Sequence, residues 1–517
     1  MNGSKSNSRV KNTTRNIAWG FLNGVVSVLL PFVTRAIIMY LIGVDYLGIG
    51  TLFTSVLQFL SLAELGVGTA ITYTMYRPIA ENNTAELCRI LNYIRKLYRC
   101  IGLAMFVIGT ALLPAVPYLI HGVVPAYINV YVLYFIYLIN SVISYFFAGY
   151  RESLLVAHQR RDVSVKWATV ISILVQVIQI LILVVCRNFY VYAIVPISGT
   201  IATNIVNALI TRKMYPGIRP HGQIGDEVRQ EIKKKLGGLI GTKLSAVVHH
   251  SSDTMVISAF LGLVQTAQYG NYYLVFYSVC GFIATLYTSM TASIGDKIIK
   301  DSLDENYLLF KRISFANNWL VGWCTICFIC LVENVISLAY GTDMCLGIGF
   351  ASLMGVYFYV YQIQKVVLTF KDAAGIWYSD RYRPYVIMIV NLVSNIILVN
   401  FIGIYGIVLS TILSLLVSMP WLNWTLYKKL FLRSSIENMF LIFLNGILTA
   451  VFGALTLALC FRLRNDIWGL VERIGICLVV PNLCYFAIYR KTPHFQYWKD
   501  FVLRHLKITE KWKKEGK

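Results

Sequence analysis

Apolar runs of eighteen or more residues recur along this chain from Ile17 to Tyr489. Each is long enough to cross a hydrocarbon core of about 30 Å. In that solvent no water can satisfy a stray N–H or C=O, so only helices or closed barrels can span. A barrel would read as short segments of alternating polarity. These runs are continuous, so the fold class is an all-α polytopic membrane protein. Composition agrees, with 57% apolar and 14% charged residues. The run beginning at Ile17 follows a basic tail (Lys5, Arg9, Lys11, Arg15) and has no small-residue cleavage site. It reads as a retained helix and not as a signal peptide.

Fourteen spans can be drawn, over 17–42, 47–75, 100–120, 127–150, 166–186, 190–211, 236–260, 268–293, 313–340, 348–370, 384–400, 403–427, 437–461 and 467–489. Basic residues sort the connections between them. The N-terminal tail, 76–99, 151–166, 212–235, 294–312, 371–383, 428–436 and the tail from Arg490 hold 39 of the 46 Lys and Arg. The alternate connections hold only Arg187, Arg462 and Arg464. Lys and Arg accumulate on the cytoplasmic side, so this register predicts a multi-pass protein of the cell membrane with both termini cytoplasmic. The net charge of +22 is then a topology signal, and no nucleic acid is needed to explain it. The closing "ITEKWKKEGK" reads as a solvated basic tail near anionic membrane lipid.

The outer connections are all very short, whereas enzymes that polymerise glycans outside the cell carry a large outer loop or domain. No GxxxxGK[ST] phosphate loop occurs. No catalytic residues are expected, and the chain reads as a non-enzyme without a cofactor. Its eleven cysteines are odd in number and lie mostly inside apolar runs, which argues against a disulfide framework. Cys324, Cys327 and Cys330 have ligand-like spacing, but they fall within one span without His or acidic neighbours. They read as packing, and no metal is expected.

The linker "TRKMYPGIRPHGQIGDEVRQEIKKKL" divides two similar halves. "RAIIMYLIGVDYLGIGTLF" from Arg35 lines up with "TMVISAFLGLVQTAQYGNYYLVF" from Thr254. Residues 160–212 match 379–428, each with a basic start, two spans and a basic exit. The expected organisation is an N-terminal six-helix bundle (1–211), a cytoplasmic linker (212–235), a second six-helix bundle (236–428), and two further helices with a basic tail (429–517). Six-span repeats share one orientation, so their pseudo-twofold axis should run along the membrane normal.

"PFVTRAIIMYLIGVDYLGIGTLF", "SLAELGVGTAITYTMYRPIAENN", "SSDTMVISAFLGLVQTAQYGNYYLV" and "NLVSNIILVNFIGIYGIVLSTILS" resemble the Wzx-type polysaccharide flippases, part of a larger superfamily with the MATE drug exporters and the lipid II flippases. The resemblance covers about 15–490 and rests on pattern and spacing. It implies two six-helix bundles plus two C-terminal helices. It also implies a substrate, lipid-diphosphate-linked oligosaccharide, carried from the cytoplasmic to the outer leaflet.

Charges inside the spans narrow the candidate site. A charge at the bilayer centre costs about 2.5–3.5 kcal/mol on insertion scales, so each calls for a partner or a wet cavity. In "TKLSAVVHHSSDTMVISAF", Lys243, His250 and Asp253 share one helical face with Val247, and His249 lies beside it. The stripe reads as cavity-lining; a hydrogen-bonded seam between helices is the alternative. At 1.5 Å per residue, Arg35 and Asp253 lie at similar depth, roughly 27 and 25 Å from the cytoplasmic end of their spans. They also hold neighbouring positions in the repeat. This predicts that Arg35 and Lys243, with His250, meet a diphosphate, and that Asp253 pairs with Arg35 as a gate. Asp253, then Glu64, with His249, are the candidate sites for a coupling H+ or Na+. Lys365 either points into the cavity or snorkels to the interface. Glu333, Glu472 and Arg473 lie nearer span ends and read as interfacial. A MATE-like exporter of cationic drugs is the competing function, and it should show an acidic cavity with few fixed positive charges.

Overall fold

The computed structural model describes residues 2–515, apart from 62–66, 123, 126, 231, 233–250 and 377. Among the described residues the regular structure is entirely helical. In chain order the helices are α1 (Asn2–Leu41), α2 (Val44–Leu60), α3 (Val67–Ala80), α4 (Thr84–Ala111), α5 (Val130–Phe146), α6 (Glu152–Ala157), α7 (Arg161–Val185) and α8 (Phe189–Met214). They continue as α9 (Leu263–Lys300), α10 (Leu303–Tyr340), α11 (Ile348–Ile363), α12 (Lys365–Ala373), α13 (Arg383–Ile402), α14 (Ile404–Leu426), α15 (Ile436–Cys460), α16 (Ile467–Tyr489) and α17 (Pro493–Glu515). Residues 251–260 are also helical. Thirteen of the fourteen expected spans lie on one of these helices or on two in succession. The other, 236–260, falls largely outside the described residues. Nine described helices are long and apolar enough to cross a bilayer, or up to eleven if two bent pairs count as one span each.

Local sequence sets where these helices begin and turn. Ser302 and Glu305 close a reciprocal capping box at the start of α10. Asn83 caps α4 by accepting from the Glu86 N–H at 3.0 Å. Gly43 and Gly262 close the corresponding turns of the two repeats, with φ of 131° and 97°. Glycine reaches that region without a Cβ clash. Along α7, Leu174, Val177, Ile178, Leu181 and Val185 form an exposed apolar stripe at three- and four-residue spacing. A soluble helix would bury that stripe, and a helix bathed in lipid tails can leave it open.

Packing divides the chain into two compact units. One comprises Met1–Leu274 with Pro384–Ile407, the other Val275–Arg383 with Val408–Lys517. The repeat boundaries are boundaries of sequence, and these are boundaries of contact. The first unit is centred on α2, α4 and α5, where Ile49, Leu52, Phe53, Ile90, Leu91, Leu133 and Leu138 are completely buried. The second carries an apolar cluster of Ile326, Phe452 and Tyr485 where α15 and α16 pack on α10. Its buried side chains interlock without space for substitution. A Cβ on Gly322 would lie 2.0 Å from the Tyr485 hydroxyl, which itself bonds Thr449 at 2.7 Å.

Candidate functional site

Four consecutive polar residues, Ser251 to Thr254, are buried in the first unit. At their centre Asp253 is 1% exposed. An amide and a phenol serve it: Asn395 Nδ2 donates to Oδ1 at 2.7 Å and the Tyr269 hydroxyl to Oδ2 at 3.3 Å. Asn391 Oδ1, one turn before Asn395 on α13, accepts from Ser252 at 3.0 Å and from Asn395 at 3.3 Å. A carboxylate placed this deep requires such donors, because burying it bare would cost more than its fold position could offset.

Arg35, on α1, is half-buried and lies across α9. Its Nε donates to Asn271 Oδ1 at 3.0 Å, Nη1 to Thr51 Oγ1 at 3.4 Å, and Nη2 to the Ala267 carbonyl at 3.4 Å. Gly270 makes this possible: a Cβ there would stand 2.7 Å from Nη2 and 3.2 Å from Thr51 Cγ2. Arginine offers only donors, so it fixes the amide oxygen of Asn271 toward itself. Asn271 Nδ2, fully buried, then makes no hydrogen bond among the described residues.

Arg35 and Asp253 thus both attach to one stretch of α9, through Ala267 and Asn271 for the cation and Tyr269 for the acid. Asn271, Asn391 and Asn395 were not candidates from sequence, and Tyr269 stood out only as one ring of a Tyr-rich span. Their signal was present as amides inside apolar spans, with Asn391 and Asn395 at helical i,i+4 spacing in "NLVSN". The repeat explains the arrangement further. Thr34 Oγ1 donates to Gln176 Oε1 at 2.8 Å. Thr34 precedes Asp253 and Gln176 precedes Asn395 by the same 219 positions (253 − 34 and 395 − 176). One helix-to-helix contact therefore occurs twice, as a neutral pair in the first repeat and as an acid–amide pair in the second.

A second recurrence concerns ion pairs. Asp162 is clamped by Arg15 at 3.0 Å and Arg160 at 3.1 Å. Asp380, 218 positions later (380 − 162), is clamped by Lys371 at 2.8 Å and Arg383 at 2.9 Å. All three members of the latter group are buried, and Arg383 also donates to Ser418 Oγ at 2.9 Å.

Lys365, in the second unit, opens α12. Its Nζ sits 4.6 Å from the centroid of the Tyr361 ring and 3.5 Å from its hydroxyl. Tyr361 belongs to an aromatic group with Phe276 and Tyr357, the latter two stacked at 4.4 Å. Beside Lys365, Gln362 is fully buried, with Cys280 against its amide. Glu64, Lys243, His249 and His250 lie outside the described residues.

No family model matches the chain, and no curated protein matches it. Solved structures do. The lipid II flippase MurJ in an inward closed conformation aligns over 92% of this chain and 98% of its own, with a TM-score of 0.65 and 14% identity. An inward-facing multidrug resistance MATE transporter of the MOP superfamily aligns over 77% and 94%, with a TM-score of 0.61 and 14% identity. A MOP superfamily transporter from Pyrococcus furiosus, described as having a binding pocket of reverse polarity, aligns over 80% and 95%, with a TM-score of 0.54 and 13% identity. The chain has the membrane-spanning fold of the MurJ flippase and the MATE transporters.

Proposed function

We propose that this protein flips a lipid-diphosphate-linked oligosaccharide from the cytoplasmic to the outer leaflet of the cell membrane, for surface polysaccharide biosynthesis, by alternating access between its two repeats. The observation that carries this reading is Arg35, a fixed cation held half-buried on a membrane-spanning helix by Asn271, Thr51 and Ala267. A permanent positive charge at that depth repels cationic drugs and suits a diphosphate. The orphaned Asn271 Nδ2 beside it adds a donor of the kind phosphate oxygens accept. Lys243, His250 and Lys365 complete the proposed substrate contacts. The flippase activity in the name of the similar MurJ structure agrees with this reading.

Asp253 is the proposed gate and coupling site for H+ or Na+, with Glu64 and His249 behind it. When the repeats part, Arg35 exchanges α9 for the arriving diphosphate, and Asp253 responds through Tyr269. The termini and the basic connections face the cytoplasm in this scheme. Purified protein in vesicles loaded with a lipid-diphosphate glycan should exchange that lipid between leaflets, and Arg35→Ala with Lys243→Ala should abolish exchange while insertion persists. Unchanged exchange in the double variant would overturn the cationic diphosphate site.

The buried Asp253 carries a second reading, an ion-coupled small-molecule exporter. A gene deletion decides between them. Loss of a flippase traps lipid-linked glycan on the cytoplasmic side, whereas loss of an exporter leaves the glycan in place and sensitises the cell to drugs.

A further inference from the structure

Three cysteines that are distant in sequence converge within the second unit. Cys330 lies on α10, Cys460 ends α15, and Cys477 lies on α16; their Sγ atoms all fall within 4.8 Å of one another. All three are buried and all are free thiols. Cys327, one turn before Cys330, directs its Sγ to the Cys477 carbonyl at 3.8 Å. Sequence spacing pointed only to Cys324, Cys327 and Cys330 on a single helix. The cluster that forms keeps one of those and draws its other two members from the C-terminal hairpin.

Packing alone asks for a small apolar side chain at each position, which Ala or Val would supply. It does not ask for three sulfurs that face one point from three helices. Metal–sulfur bonds of about 2.3 Å place three ligands at the corners of a triangle roughly 4 Å on a side. The observed group meets that triangle with small side-chain adjustments. We propose that Cys330, Cys460 and Cys477 form a binding site for copper(I), which fastens the α15–α16 hairpin to α10.

Ligand number selects the metal. Structural zinc takes four ligands in a tetrahedron; here three thiols face one another within 4.8 Å, and a fourth, Cys327, stands against Cys477 without joining that mutual group. Thiolates favour soft copper(I), and three of them suffice. Charge counts in the same direction. Copper(I) displaces the protons of all three thiols to solvent, and the bound group then carries two negative charges. Arg473, one turn before Cys477 on α16, is buried and offsets one of them. Its guanidinium is held over this end of the hairpin by the Leu463 and Arg464 carbonyls and Asn465 Oδ1, at 2.8 to 3.1 Å. The turn that carries Arg464 also offers an approach from solvent, since Cys460 is the last residue of its helix.

Full-length protein with its other eight cysteines replaced by Ser or Ala tests this directly. Reduced and titrated anaerobically with copper(I) against a chromophoric chelator, it should retain one equivalent. X-ray absorption should find three sulfur ligands at about 2.3 Å. Cys477→Ser and Cys330→Ser should each weaken retention about 10- to 100-fold, the usual penalty for disturbing a metal site. Should either variant fail to fold, the absorption spectrum of the unsubstituted cluster still decides. Copper lost on simple gel filtration, nitrogen or oxygen ligands, full retention in Cys477→Ser, preference for zinc over copper(I), or a disulfide among the three would each overturn the proposal.

Discussion

The two repeats build the same contact with different chemistry, and the contrast separates structure from function. In the first, Thr34 meets Gln176; in the second, Asp253 meets Asn395. Both are single hydrogen bonds between the same pair of helices in the repeat. The neutral version shows that this particular contact requires no charge. The carboxylate in the second repeat is therefore an addition to the fold, retained at a depth where it is expensive. The other recurring feature runs the opposite way. Asp162 and Asp380 are both acids between two cations, so there the charge belongs to the architecture. An acid present in both repeats holds the helices; an acid present in one is free to do something else.

The largest effect should come from the architectural pair. Asp380→Asn leaves Lys371 and Arg383 buried without their shared counter-charge, and breaking such a group costs about 3–5 kcal/mol. Asp162→Asn should cost much less, on the order of 1 kcal/mol, because Arg15 and Arg160 are 46% and 26% exposed and can turn to water. Thermal unfolding in detergent measures both. Equal losses would break the claim that burial of the cations distinguishes the two clamps.

Exchanging the other pair sharpens the contrast. Asp253→Thr with Asn395→Gln writes the first repeat's contact into the second. It keeps the helix-to-helix hydrogen bond but leaves the buried Tyr269 hydroxyl without its carboxylate acceptor, so it should cost about 1–3 kcal/mol, while on the proposed function leaflet exchange of the glycan lipid collapses. The reverse graft, Thr34→Asp alone, should destabilise by about 2.5–3.5 kcal/mol as an unserved charge. Full transport in the first variant would remove Asp253 from the mechanism. If Arg35 and Asp253 act as one gate, a double-mutant cycle on transport should be non-additive.

A smaller effect should follow from the glycine under Arg35. Gly270→Ala gains helix propensity of about 1 kcal/mol. It must also push aside a guanidinium whose Nη2 would stand 2.7 Å away. That neighbour is the end of a flexible side chain and can move. Stability should therefore change little, whereas transport should fall severalfold because Arg35 loses its bed on α9. At Gly48 the corresponding Cβ would meet the Leu263 carbonyl at 2.2 Å. Backbone cannot step aside, so Gly48→Ala should cost stability first. The opposite order in the two variants would show that Arg35 is a structural strut.

The membrane class, the helical fold and the repeat were legible because hydropathy over eighteen residues and a shared offset of 219 are properties of the string itself. Arg35 and Asp253 were legible as charges in apolar runs. Their common attachment to α9 was not, because Asn271 reads as an ordinary span residue, and Tyr269 as one ring of a Tyr-rich span, until helix rotation aims them. The cysteine cluster was hidden for the same reason. Cys330 lies more than a hundred residues before Cys460 and Cys477, and only the docking of α15 and α16 on α10 brings the three together. The ion clamps were missed because Asp162 and Asp380 sit in basic connections, where an acid between cations reads as a solvated surface pair.

The last and smallest prediction concerns a helix that the second unit carries beyond the second repeat. The C-terminal α17 docks on the start of α10, where Trp498 Nε1 donates to the Arg312 carbonyl at 3.0 Å and Arg312 lies 3.7 Å over the Tyr497 ring. His494 packs there against Phe315, and burial, then the charges of Lys311 and Arg312, lower its pKa from the ordinary 6.5. A histidine whose folded pKa is depressed binds its proton more readily once released. Docking stability is therefore fully present above pH 6.5 and declines as pH falls from 6.5 toward the folded value. Trp498 fluorescence should report α17 loosening on acidification from pH 7.5 to about 5.5, with the hairpin beneath it intact. His494→Gln, which cannot titrate, should flatten that profile in this range. A profile identical in His494→Gln would assign the response to another group. No response at all would mean that α17 is held by its aromatic contacts alone, and the second unit would then gain from its extra helix an anchor without a pH dependence.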